Sequence, residues 1–306
     1  RPWLLLLLPA LGGLACGLLT RLCPEARGGG GDAMIDAFHR HNGIVRKRVP
    51  LYKALASLCT LATGGAGGRE GPTMLIGAGL GSLVANTLHL SARERRILLV
   101  AGVAAGISAV FRTPLGAALL AVEVLYRDGF ESDALVPSVL ASVVSYSVVI
   151  SIYGESTLFA HAPRYPFVPA HLPYYACLAV AVAIMATTFV ATIHLARRFF
   201  QRLPIAPWQR PALGGLMLGA FATTLVVTLG RHTHQEGQGL GLLGGGYGAV
   251  QVAISGADWL PAGWWSVLFL TVLAFAKLLA SALTLGSEGS AGDFAPSLTI
   301  GGLLGG

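Results

Sequence analysis

The chain has 306 residues, 54% of them apolar and only 11% charged, with a mean hydropathy of +0.68 and a formal net charge of +7. Soluble domains carry roughly a quarter charged residues, so no ordinary water-facing surface can be assembled from this composition and a soluble fold is excluded. The basic residues are dispersed and cluster only between apolar runs, which speaks against a nucleic-acid surface.

The first apolar segment, Leu4–Leu19, has the hydrophobicity of a signal-peptide core. Its internal glycines and the absence of a clear cleavage site before Gly28–Gly31 favour a membrane segment instead. Because the chain begins on Arg1, it is expected to be cut at its N-terminus. Gly28–Asp32, GGGGD, precedes a short helix expected over Ala33–His39; a flexible linker is the competing reading. Arg40, Arg46, Lys47 and Arg48 crowd one loop and suggest a cytoplasmic face, but Arg93, Arg95 and Arg96 form a second cluster, so charge alone leaves orientation open.

Stretches without Asp, Glu, Lys or Arg follow at Gly71–Ser91, Ile97–Phe111, Ala134–Gly154, Tyr165–Ala196, Pro211–Gly230 and Leu260–Ala276. Measured against the ~20 residues a helix needs to cross a bilayer, they imply about ten full or partial membrane segments. Pro163, Pro166, Pro169 and Pro173, with His161 and His171, mark Tyr153–Pro173 as an extended interfacial connection. The chain thus reads as a first membrane repeat over 1–152, a connection over 153–173 and a second repeat over 174–306. His232 and His234, in RHTHQEGQG, read as a surface loop rather than a zinc site, and no metal or cofactor is expected. Cys16, Cys23, Cys59 and Cys177 lack metal or disulfide spacing and read as small core residues.

The two halves share a sentence. Lys53–Gly81 and Lys277–Gly305 align at an offset of 224 (277 − 53), with 13 of 29 positions identical, among them Lys53/Lys277, Thr60/Thr284, Gly68/Gly292, Pro72/Pro296 and Gly77/Gly301. Each copy runs from an apolar segment through a glycine cluster and a proline into a second apolar segment, a pattern that points to a substrate site at a repeat interface. The second copy stops ten residues after Pro296, inside its own apolar run, and is expected to be incomplete.

Chemistry concentrates at the glycine turns. In GGREGP, Pro72 suits the first turn of a helix whose unpaired amides face an anion with about half a positive charge behind them. Glu70 sits in that turn and its carboxylate can take the anion's place; an ordinary capping acid paired with Arg69 is the alternative. The second copy places Phe294 at the position of Glu70, a matching helix start without a carboxylate. Asp293 reads as the N-cap of that helix, or as a charge repelling anions. Glu123, in LLAVEVLYRDGF, reads as the structural partner of an arginine or a backbone amide. A membrane enzyme is disfavoured, since no nucleophile and base form a recognisable pair.

With these motifs the chain resembles the CLC family of chloride channels and chloride/proton exchangers. GGGGD at Gly28–Asp32 sits where the family has GSGIP, GREGP follows Gly68, GDFAP at Gly292–Pro296 matches GxFxP, and Lys53 and FRTPLGAALLAVEV from Phe111 also fit. The resemblance implies an all-α polytopic fold, an inverted repeat of tilted and partial helices whose N-termini meet around dehydrated anions. It implies a homodimer with one pore per subunit in a bacterial plasma membrane, chloride or a similar small anion as ligand, and no nucleic-acid partner. Carried over, Glu70 is the gating glutamate, amides around Arg69, Gly71, Asp293, Phe294 and Ala295 line the outer and central sites, and Gly29, Gly30 and Gly31 the inner side. Two departures follow: Gly30 replaces the family's central serine, and Val124 stands where exchangers carry a second glutamate. Passive, Glu70-gated conduction is therefore expected, with proton-coupled exchange as the alternative.

Overall fold

A computed structural model describes residues 2–155, 168–233, 240–255, 260 and 263–306. Among them the chain is helical: α1 (Pro2–Leu22), α2 (Gly31–Arg40), α3 (Val49–Ala62), α4 (Glu70–Thr87), α5 (Ala92–Phe111), α6 (Pro114–Glu123), α7 (Leu135–Tyr153), α8 (Leu172–Arg202), α9 (Arg210–Thr233), α10 (Tyr247–Ser255), α11 (Trp264–Gly286) and α12 (Phe294–Gly305). Two compact units form, one from Leu19–Leu58 with Arg69–Leu158, the other from Arg1–Leu18, Cys59–Gly68 and Phe159–Gly306.

In the first unit α4 and α5 form a hairpin held by glycine. A Cβ at Gly77 would fall 2.1 Å from the Gly102 carbonyl oxygen, one at Gly102 2.2 Å from that of Gly77, and one at Gly81 2.1 Å from that of Leu98. The backbones touch, as small-residue stripes allow where lipid offers no hydrophobic drive for association. The hairpin turn is fixed by a capping box: Ser91 N–H donates to Glu94 at 2.9 Å and Glu94 N–H to the Ser91 hydroxyl at 3.4 Å. The Ser91 hydroxyl, donating to Glu94 Oε2 at 2.6 Å, and then the Ser91 N–H hold the exposed Glu94 carboxyl below its usual range. At the far end Arg112 adopts a left-handed φ of 57° and Pro114 opens α6. α7 is tied to α5 by Ser108 Oγ donating to Ser142 O at 2.7 Å and Ser145 Oγ donating to Ala105 O at 2.8 Å.

In the second unit α1 and α9 run antiparallel with equally close backbones. Cβ atoms at Gly17, Gly13, Gly215 and Gly219 would lie 1.8, 2.1, 2.1 and 2.2 Å from the carbonyl oxygens of Trp208, Pro211, Pro9 and Leu6. α11 carries the most buried face, including Leu270, Leu273, Ala274, Lys277, Leu278 and Ser281.

Among the described residues, five helices are long and apolar enough to cross a membrane: Trp3–Leu22, Ser132–Tyr153, Pro169–Arg202, Pro207–Leu229 and Trp264–Gly286; Val49–Ala62, Pro114–Glu123 and Phe294–Gly305 are shorter apolar helices. These are eight apolar helices, five long and three short, against the about ten segments inferred by length. Two expectations change. Of the proline-rich connection, residues 156–167 lie outside the described residues, while Pro169–His171 is a 3-10 turn and Pro173 sits in the first turn of α8, so this end is helical rather than extended. Cys177 is exposed on α8 and is no core residue, unlike the buried Cys16 and Cys23.

Candidate functional site

The sequence repeat is reproduced bond for bond in the glycine linkers of the second unit. Gly65 N–H donates to Thr60 O at 2.8 Å and Gly289 N–H to Thr284 O at 3.0 Å; Gly67 N–H donates to Gly65 O at 3.1 Å and Ala291 N–H to Gly289 O at 2.9 Å. The equivalent residues Gly68 and Gly292 then pair with each other, each N–H donating to the other's carbonyl at 2.7 Å. A residue can exchange bonds reciprocally with its own repeat copy only if a local two-fold axis passes between the two linkers. Close approach explains the glycines: a Cβ at Gly67 would lie 2.4 Å from that of Ala291.

In the first unit the GGGGD loop is held, not a free linker. Lys53, fully buried, donates from Nζ to Ala26 O at 3.2 Å and to Gly28 O at 2.5 Å. Gly30, at φ 99°, caps the start of α2 in the left-handed region. A side chain there would press on the first turn of α4, its Cβ 3.0 Å from Gly71 O and 3.0 Å from the Leu75 Cβ. So the starts of α2 and α4 abut, and Gly30 and Gly71 meet. First-turn amides of both helices lack intrahelical acceptors, and both positive dipole ends lie in one place, a ready anion-binding arrangement. Glu70 is the first residue of α4 and only 2% exposed. Its Arg69 neighbour at the N-cap position is exposed and makes no ion pair among the described residues, so the capping-pair alternative finds no support.

The second unit contains a matching arm that motif reading missed. Lys277, fully buried, donates from Nζ to Leu242 O at 3.1 Å and to Gly244 O at 2.6 Å. As with Lys53, the two carbonyls are two residues apart, and they precede a left-handed glycine, Gly246 at φ 87°, and a helix start, α10. The loop rests on the first turns of α12: Thr299 Oγ1 donates to Gly245 O at 2.7 Å, and a Cβ at Gly245 would lie 3.4 Å from that of Ala295. Loop Leu242–Gly246 is thus the partner of Ala26–Gly30, at an offset of 216 (246 − 30) rather than 224. That eight-residue shift hides it from an alignment anchored on the lysines; LLGGGYG ahead of an apolar run was the available signal.

α12 starts as α4 does, with Ser297 N–H donating to Asp293 O at 3.1 Å where Thr73 N–H donates to Arg69 O at 3.1 Å. Ala295 is fully buried and Phe294 is 47% exposed. Asp293 occupies the N-cap position, yet its side chain makes no capping bond, so position alone carried that expectation. Glu123 is exposed at the end of α6 and its carboxylate has no hydrogen bond or ion pair among the described residues, which overturns the structural-partner reading. His234 lies outside the described residues.

Comparison with known proteins gives one family. The family model described as Voltage gated chloride channel matches residues 12–306. The chain is 29% identical over 310 residues to a putative chloride channel protein ClcB-like of Ralstonia nicotianae, covering 99% of this chain and 67% of that protein. It is 27% identical over 290 residues to the H(+)/Cl(-) exchange transporter ClcA of Yersinia pestis, covering 94% of this chain and 57% of that one. The fold is similar to that of a slow cyanobacterial Cl-/H+ antiporter, with TM-score 0.80 at 22% identity, covering 98% of this chain and 66% of that one. It is also similar to a CLC-type fluoride/proton antiporter, with TM-score 0.78 at 23% identity, covering 98% and 70%.

Proposed function

The chain belongs to the voltage-gated chloride channel family, and from that premise we propose that it moves small anions, chloride foremost, across a membrane, with the Glu70 carboxylate as gate. The observation that carries this reading is the placement of Glu70: a carboxylate 2% exposed, first in a helix that starts against a second helix start. A charge is costly to keep inside a membrane protein, and at this place it competes with an anion for the same amides. Backbone groups at Gly29, Gly31 and Gly71, and those at Phe294 and Ala295, are the proposed anion ligands. They replace lost hydration without a metal or cofactor. Laid position for position on GSGIP, Gly28–Asp32 puts the family's serine at Gly29 rather than Gly30. The left-handed Gly30, packed on Gly71, is the residue of the loop least able to carry a side chain.

Two modes of transport are supported by different observations. Val124, half-buried against the apolar core at the end of α6, leaves no acid at the exchangers' second glutamate position and favours passive conduction. The relatives named as exchangers and antiporters favour proton coupling. In liposomes holding the whole protein, a chloride gradient that drives proton uptake establishes exchange, and chloride flux without proton movement establishes conduction. In either mode Glu70→Gln, which fixes the gate in its neutral form, should leave anion flux larger and insensitive to pH; flux that keeps the native pH dependence would rule Glu70 out. We assign the protein to a bacterial plasma membrane as a homodimer with one pathway per subunit.

A further inference from the structure

We propose that Lys277 is the positioning residue of the second-unit arm: its Nζ pins loop Leu242–Gly246 against the start of α12 and so holds the proposed anion ligands of that helix start in place. The inference deepens the anion-transport reading and rests on it.

A lysine is an expensive way to fill a membrane core. Methionine of similar length would pack as well at no desolvation cost, yet Lys277 is fully buried, and its bonds to Leu242 O and Gly244 O are to neutral carbonyls. Among the described residues no carboxylate pairs with it. The starts of α10 and α12 are positive helix ends, and Asp293, exposed just ahead of Phe294, is the opposing charge on the α12 start.

Geometry couples the lysine to the helix start. Lys277 grips the loop through Leu242 and Gly244, Thr299 Oγ1 grips it through Gly245 O at 2.7 Å, and Gly246 lies so close that a Cβ would stand 2.6 Å from Thr299 Cγ2. Loss of the Nζ donor leaves the buried Leu242 carbonyl and the part-buried Gly244 carbonyl without it, and the loop must move to recover a partner. The loop lies against Ala295, beside Phe294, so its movement displaces a proposed anion ligand. That Lys53 repeats the same grip on Ala26 and Gly28 indicates a device kept in both copies rather than a chance burial.

The test is chloride flux as a function of chloride concentration in liposomes holding the whole protein. Lys277→Met should raise KM for chloride about tenfold or more while kcat falls less than about threefold, and Lys277→Arg, which keeps charge and donors, should stay within about threefold of wild type in KM. An unchanged KM in Lys277→Met overturns the inference, as does a Lys277→Arg protein as impaired as Lys277→Met. If Lys277→Met does not fold, Thr299→Val decides, since it frees the same loop without touching the ammonium: a KM raised about threefold or more supports the clamp and an unchanged one overturns it. Wild-type liposomes without chloride flux overturn the transport reading and this inference together; wild-type flux with unaltered variants overturns this inference alone.

Discussion

Beyond Val124 the chain closes a short loop in which Tyr126 donates from its hydroxyl to Glu131 Oε2 at 2.5 Å and Glu131 N–H donates to Val122 O at 3.0 Å. The carboxylate beside it, with some burial, pushes the Tyr126 phenol up to about 12 from 10.0. A raised pKa means the folded state holds the proton more tightly, so this contact contributes stability that is complete below pH 10 and lost as pH rises through about 12. Ultraviolet titration should show a tyrosinate component with that high midpoint, which Tyr126→Phe removes and Glu131→Gln lowers; a titration unaffected by either change refutes the pairing. Single residues were unevenly readable in advance. The candidacy of Glu70 was legible because the acid lies between a glycine cluster and a proline in an apolar chain and the second copy has Phe294 in its place. The roles of Glu123 and Asp293 were not, because whether a carboxylate finds a partner or a capping bond depends on side-chain direction, which spacing does not encode.

Among elements, the α4–α5 hairpin rests on backbone contact, so its stability lies in what its glycines lack. Gly77→Val places branched carbons where the Gly102 carbonyl oxygen already sits 2.1 Å from a hypothetical Cβ, and should destabilise the protein by about 1–3 kcal/mol or more. Gly248→Ala, at a site with nothing within 4 Å, is the control. A Tm in detergent equally unchanged in both would show that α4 and α5 do not touch. The helix starts at the two glycine–proline turns were legible, since Pro72 and Pro296 mark them directly. Which glycines pack against which carbonyls was not, because a stripe of small residues names a face without naming its partner.

For the molecule as a whole, contact brings together the two basic clusters that the sequence leaves apart. Arg96 donates from Nη2 to Asn42 Oδ1 at 3.0 Å, and a Cβ at Gly43 would lie 3.0 Å from Arg96 N, so the basic loop around Arg46–Arg48 and the basic start of α5 share one end of the first unit. The two clusters therefore fall on the same side of the first unit, whichever side of the membrane that is. Cysteines introduced by Lys47→Cys and Ala92→Cys, with the four native cysteines replaced, should react with a membrane-impermeant maleimide from the same side of sealed vesicles; labelling from opposite sides contradicts the fold. By itself the sequence determined a membrane-embedded helical protein, a duplicated glycine–proline element and an acid in one copy only, because composition, periodic apolar runs and an exact offset are properties of the chain read in line. Only the tertiary structure decided that Gly68 pairs with its own repeat copy, that the lysines grip loops 25 to 35 residues away, and that a second glycine loop at Leu242–Gly246 mirrors the first. Those are contacts between segments whose spacing differs in the two halves, and such contacts are fixed by packing and backbone hydrogen bonding in three dimensions rather than by register along the chain.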